Sequence, residues 1–361
     1  MSIDRRSVLG AAGALGLLGA TGARGQGVDG RATGPSRTPV IDVHTHMFSP
    51  GWMERVDEAD DPDFQLGEGP NRALLYRGTA MGAVVPAMLD FDMRIRAMDE
   101  AGVDIALISL TAPNVYWGNR RQSSAAARAI NDDFLDAERR YDGRIRWFAS
   151  LPWQYADEAV EELRRAKDNG AIGVCMLTNI LGTPLTAPEY RPIWREIEAM
   201  EMPVFIHPTT PYVDGMGLQD YGLANTIGFT SETSLCFIRM ILDGFMDEMP
   251  NLKLIACHGG GAFPYLVARF DRMWEIQDPA SRGNERPPST YMSQFWYDAI
   301  VYDEQTLDFL IESVGVDRVM YGSDYPFRLG DMAGILGRVD ALPAVQRDAI
   351  RGGNALQLFD L

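Results

Sequence analysis

The chain has only four histidines, and two of them, His44 and His46, flank a single threonine in the stretch "VIDVHTHMF", Val40 to Phe48. The others are His207 in "PVFIHP" and His258 in "LKLIACH", and Asp324 lies in "RVMYGSD". Neutral imidazoles with a carboxylate are the donors a divalent ion takes when one coordination position is left for water, and such an ion lowers that water's pKa toward neutrality. In an extended strand, side chains two apart share a face, so His44 and His46 can grip one ion together.

Residues so far apart in sequence meet only if a repeating scaffold brings them to one place. Short apolar and β-branched runs at 40–46, 103–110, 145–152, 171–177, 203–208, 252–258, 295–299 and 318–324 read as strands. Amphipathic stretches at 90–102, 124–143 and 156–170 read as helices between them. Eight alternations predict an α/β fold, a parallel (β/α)8 TIM barrel, whose active face is built from the strands' C-terminal ends. All four histidines and Asp324 fall at such ends. A doubly wound sheet is the alternative fold, but no G-x-G-x-x-G follows the first strand, which argues against a dinucleotide-binding version.

The motifs H-T-H, F-I-H-P, C-H-G-G-G-A-F-P-Y and V-M-Y-G-S-D-Y-P-F, together with "RPPSTYMSQFWYDA" and "GGNALQLF", resemble the amidohydrolase superfamily from about Val40 to Leu361. Within it they are most similar to the branch that contains aminocarboxymuconate semialdehyde decarboxylase and related decarboxylases. The resemblance implies a metal-dependent-hydrolase type of barrel with one divalent ion, zinc first and manganese as the alternative. His44, His46, His207 and Asp324 would hold it, and His258 would move a proton beside its water. It also implies a homodimer. Binuclear members carry a carbamylated lysine at the end of strand four, whereas the only lysines here, Lys167 and Lys253, lie elsewhere, which favours one metal.

Non-oxidative decarboxylation of a small conjugated or aromatic carboxylic acid is the activity expected. Hydrolysis of a lactone, ester or amide on the same site is the alternative, and a non-catalytic periplasmic binding protein the second. A carboxylate substrate calls for a cation, and arginine provides a bidentate grip. The loop where the family's arginine is expected reads "MGAVVPAMLD" and has none, so Arg77 and Arg328 are the candidates. Phe48, Trp52, Tyr116 and Trp117 follow the first two strands; flat walls of this kind suit a conjugated substrate, with Trp117 the candidate contact, or else pack the loops. Asp298, at the end of the seventh strand, is placed to touch the site or to pair locally.

A formal charge of −17 argues against nucleic acid or an anionic membrane surface as partner. No apolar run is long enough to span a bilayer. Residues 1–26 pair Arg5 and Arg6 with the apolar run Val8 to Leu18, the layout of a twin-arginine export signal, and 27–39 read as linker before the barrel at 40–361. A periplasmic location follows, with a cytoplasmic one as the alternative. Cys175, Cys236 and Cys257, an odd count set partly in apolar runs, read as core thiols instead of a disulfide framework.

Overall fold

The computed structural model describes residues 37–69, 72–76, 79–209, 217–218 and 220–361; the expected export signal at 1–26, most of the expected linker and Arg77 lie outside them. From Thr38 onward the chain is one compact unit. Its centre is an eight-stranded parallel sheet whose order follows the sequence. The strands are β1 (Ile41–His46), β2 (Ile105–Ser109), β3 (Ile145–Ser150), β4 (Gly173–Leu177), β5 (Val204–His207), β6 (Leu254–Ala256), β7 (Phe295–Asp298) and β8 (Val319–Met320).

The eighth strand is shorter than the 318–324 expected, because the chain beyond Met320 bonds to β1 outside a regular ladder. Val43 N–H donates to Tyr321 O (3.0 Å), His46 N–H to Tyr325 O (2.8 Å), and Asp324 N–H to His44 O (2.8 Å). A parallel bridge between Thr45 and Tyr325 completes the closure.

Helices follow each strand: α1 (Phe91–Ala101), α2 (Arg120–Arg140), α3 (Ala156–Asp168), α4 (Arg191–Ala199), α5 (Phe229–Leu242), α6 (Phe263–Ile276), α7 (Glu304–Val314) and α8 (Met332–Asp340). Their limits have local causes. Asp90 caps α1 by accepting from Met93 N–H, and Gly102 ends it in the left-handed region. Asn119 and Gln122 form a reciprocal capping box that starts α2 four residues earlier than periodicity alone indicates.

Strand alternation divides the core in two. Ala106, Ile108, Trp147, Ala149, Val174 and Met176 pack outward beneath the helices. Leu107, Phe148, Cys175, Phe205, Ile255, Cys257 and Met320 fill the barrel interior, joined at the strands' N-terminal ends by Leu358 and Phe359 of the final helix. The three cysteines are free and buried, as expected.

β1 departs from simple alternation. Ile41 and Val43 belong to the interior cluster, yet the His44 ring also lies inside, 4.7 Å from Phe205. A register shift against β2 between Asp42 and Thr45 accounts for both. The bulge re-aims the strand, so that hydrophobic residues fill its lower half and two imidazoles its upper half.

Candidate metal centre

The mouth of the barrel gathers all four histidines and Asp324. Ligand atoms of His44, His207, His258 and Asp324 lie within 4.8 Å of one another. His46 joins them: its Nε2 is 3.0 Å from His44 Nε2 and 3.4 Å from Asp324 Oδ1. His44 Nε2 is 3.3 Å from the same oxygen, and His258 Nε2 is 3.7 Å from Asp324 Oδ2.

Two positions differ from the strand-end expectation. His258 opens a tight turn two residues past β6, and Asp324 stands four residues past β8. Both have left-handed backbone, with φ of 53° and 59°. Such conformations are uncommon outside glycine and are held by their surroundings, here to swing each side chain over the mouth.

Three of the imidazoles are anchored from behind. His44 Nδ1 donates to Asp298 Oδ2 (2.6 Å), His46 Nδ1 meets Ser109 Oγ (3.0 Å), and His207 Nδ1 meets Pro208 O (2.8 Å). Those contacts leave the three Nε2 atoms facing inward, the usual orientation of metal-binding imidazoles. His258 is built differently, since its Nδ1 is buried with no hydrogen-bond partner. Asp42, fully buried, accepts from Ser323 Oγ (2.6 Å) and Ser323 N–H (3.0 Å), tying β1 to the segment that carries Asp324. Buried Arg94 donates to Thr45 Oγ1 (2.5 Å) and to His46 O, with its guanidinium 4.8 Å from the Tyr325 ring.

The electrostatics suit a cation. Burial, helped by neighbouring imidazoles, pushes His46 down to about 4 and His207 well below its ordinary value, so both are neutral donors. For His44, burial is the largest single influence and acts downward, yet Asp298 and Asp324 together overcome it and raise the group to about 9. Burial alone would raise Asp324, but the imidazoles of His258, His44 and His46 hold it well below the carboxylate range. The carboxylates of Asp298 and Asp324 thus favour a positive charge beside them despite burial, while His46 and His207 stay uncharged. Asp324 Oδ1 is itself buried without a hydrogen-bond partner, as a ligand oxygen would be, and the residues fit a divalent ion.

The remaining sequence candidates are placed as follows. Trp117 is buried; its indole N–H donates to Asn114 O (3.0 Å) and its ring lies 6.4 Å from Trp52. Arg328 is exposed in the turn after Asp324. Phe327, not singled out from sequence, lies 5.4 Å from the His46 ring. Its place in the motif after Asp324 was the available signal. Ser109, Asp42 and Arg94 carried none, because a serine in a strand or an arginine on an amphipathic helix has many commoner uses.

Fold and site together define a metal-binding (β/α)8 barrel of amidohydrolase type. The amidohydrolase family model matches residues 41–361, and the chain belongs to that family. It is 29% identical to 2-amino-3-carboxymuconate-6-semialdehyde decarboxylase of Dictyostelium discoideum, over 90% of this chain and 92% of the relative. It is 31% identical to gamma-resorcylate decarboxylase of Rhizobium sp. (strain MTP-10005), over 75% of this chain and 87% of the relative. Among solved structures it resembles dihydroxybenzoic acid decarboxylase from Polaromonas sp. JS666 with bound manganese and an inhibitor, 2-nitroresorcinol. That likeness has a TM-score of 0.74 and 25% identity, and covers 90% of this chain and 97% of the other.

Proposed function

We propose that this chain is a mononuclear metal-dependent carboxy-lyase that removes carbon dioxide, without oxidation, from a small aromatic or conjugated carboxylic acid. The observation that carries this reading is the convergence of four imidazoles and Asp324 at one barrel mouth, in a chain whose relatives are decarboxylases. His44, His46, His207 and Asp324 are the proposed ligands, because the three histidines have their far nitrogens engaged. The ion would act as a Lewis acid on a substrate oxygen and lower the pKa of a water. Zinc is the proposed ion on its donor preferences; manganese, present in the related Polaromonas structure, is the alternative.

His258 is the proposed proton carrier. Its Nδ1 is not engaged by the protein, and its Nε2 stands 3.7 Å from Asp324, so it can deliver a proton to the ring carbon that loses the carboxylate. Phe327 would form one wall against a flat ring, and Arg328 would receive a substrate carboxylate. The proposal retains export through Arg5 and Arg6, supported by the sequence layout; finding full-length protein only in the cytoplasm would contradict that part. A homodimer also remains part of it, to be checked by light scattering.

The test is an assay of the metal-loaded protein against 2,6-dihydroxybenzoate, other carboxylated phenols, muconates, lactones and amides, following carbon dioxide and hydrolysis in parallel. Carbon dioxide release supports the proposal. Hydrolysis alone would reassign the site.

A further inference from the structure

Asp298, the last residue of β7, is fully buried, and its carboxylate is shared among four hydrogen atoms. Oδ2 accepts from His44 Nδ1–H at 2.6 Å and from His258 N–H at 2.8 Å. Oδ1 accepts from Gly259 N–H at 3.0 Å and from Ile300 N–H at 3.0 Å. These donors come from three places: β1, the turn after β6, and the turn after β7.

The first contact decides a tautomer. In the neutral form that would bind an ion, an imidazole that donates through Nδ1 has its lone pair on Nε2, the atom that faces His46 and Asp324. The second and third contacts hold the backbone of the turn in which His258 sits with φ of 53° and Gly259 with φ of 60°. One carboxylate therefore sets the direction of a metal ligand and the position of the proton carrier.

We propose that Asp298 is the positioning residue that couples the metal site to His258, fixing His44 as an Nε2 donor while clamping the His258–Gly259 turn. This rests on the metal-site reading above. Asparagine keeps the size and can still accept on one atom, but its NH2 group must face two donors. If it faces His44 and His258, the His44 tautomer reverses; if it faces Gly259 and Ile300, the turn loses its clamp.

The experiment is zinc affinity by chelator competition for the full-length wild type and Asp298→Asn, with melting of both metal-free proteins as a check on folding. The expected result is an affinity loss of about 10- to 100-fold, with a folded variant. Affinity equal to wild type in a folded Asp298→Asn protein would overturn the proposal. Should the variant not fold, nitrogen NMR of isotope-labelled histidine in the zinc-loaded wild type decides: His44 protonated at Nδ1 supports the proposal, and His44 protonated at Nε2 refutes it. Failure of the wild type itself to take up zinc or manganese would instead count against the metal-site reading.

Discussion

His258 and Asp324 share left-handed backbone and approach to 3.7 Å, but their proposed work differs. In the proposed function Asp324 would bind the ion and His258 would move the proton. His258→Gln is therefore expected to retain wild-type metal content while kcat falls by about 10²- to 10⁴-fold, the usual contribution of a positioned acid or base. Loss of metal together with activity would place His258 among the ligands instead. Arg328→Ala is expected to raise KM for a carboxylated substrate about tenfold or more, the loss of one charge-assisted hydrogen bond; unchanged KM and kcat would remove Arg328 from the site. The histidine set was legible in the sequence because all the imidazoles of the chain fall at the ends of strand-like runs. Their supports were not. Nothing in the residue types of Ser109 or Asp42 separates a group that holds a ligand from one that caps a strand.

At the scale of elements, close packing around β1 and β8 fixes the ligands. A Cβ added at Gly322 would lie 2.9 Å from His44 Cβ and 3.2 Å from Asp298 Cβ. Gly322→Ala is expected to cost about 1–3 kcal/mol of stability by overpacking and to weaken metal binding, because the displaced neighbours are a ligand and its support. Denaturant melts and chelator competition on the same sample check it; normal affinity in a destabilised protein would show that β1 absorbs the strain without moving His44. Gly261, with φ of 65° and a would-be Cβ 2.3 Å from Thr230 O, requires glycine in the turn that carries His258 toward α6. Periodicity located all eight strands, since burial on both faces leaves short apolar runs between polar turns. It did not show the bulge in β1, which leaves residue types unchanged and alters only their pairing. Nor did it show the early end of β8, where hydrogen bonds to β1 and Asp42 replace a ladder.

For the whole molecule, Phe359 of the final helix lies against Phe148 at the strands' N-terminal ends, and the histidines occupy the opposite end. No helix among the described residues is long and apolar enough to cross a membrane. A bound ion that ties β1, β5 and the β8 segment together should stabilise the fold by about 4 kcal/mol when free metal exceeds its dissociation constant a thousandfold. Chelation is expected to lower the melting temperature and reloading with zinc or manganese to restore it; a melting curve indifferent to both would mean that the barrel mouth holds no ion in solution. The most direct measurement of the central claim follows metal content and carbon dioxide release in one preparation through purification, chelation and reloading. About one ion per chain is expected, with decarboxylation of an aromatic acid lost and regained in proportion to it. Carbon dioxide release that survives complete removal of metal would contradict that claim.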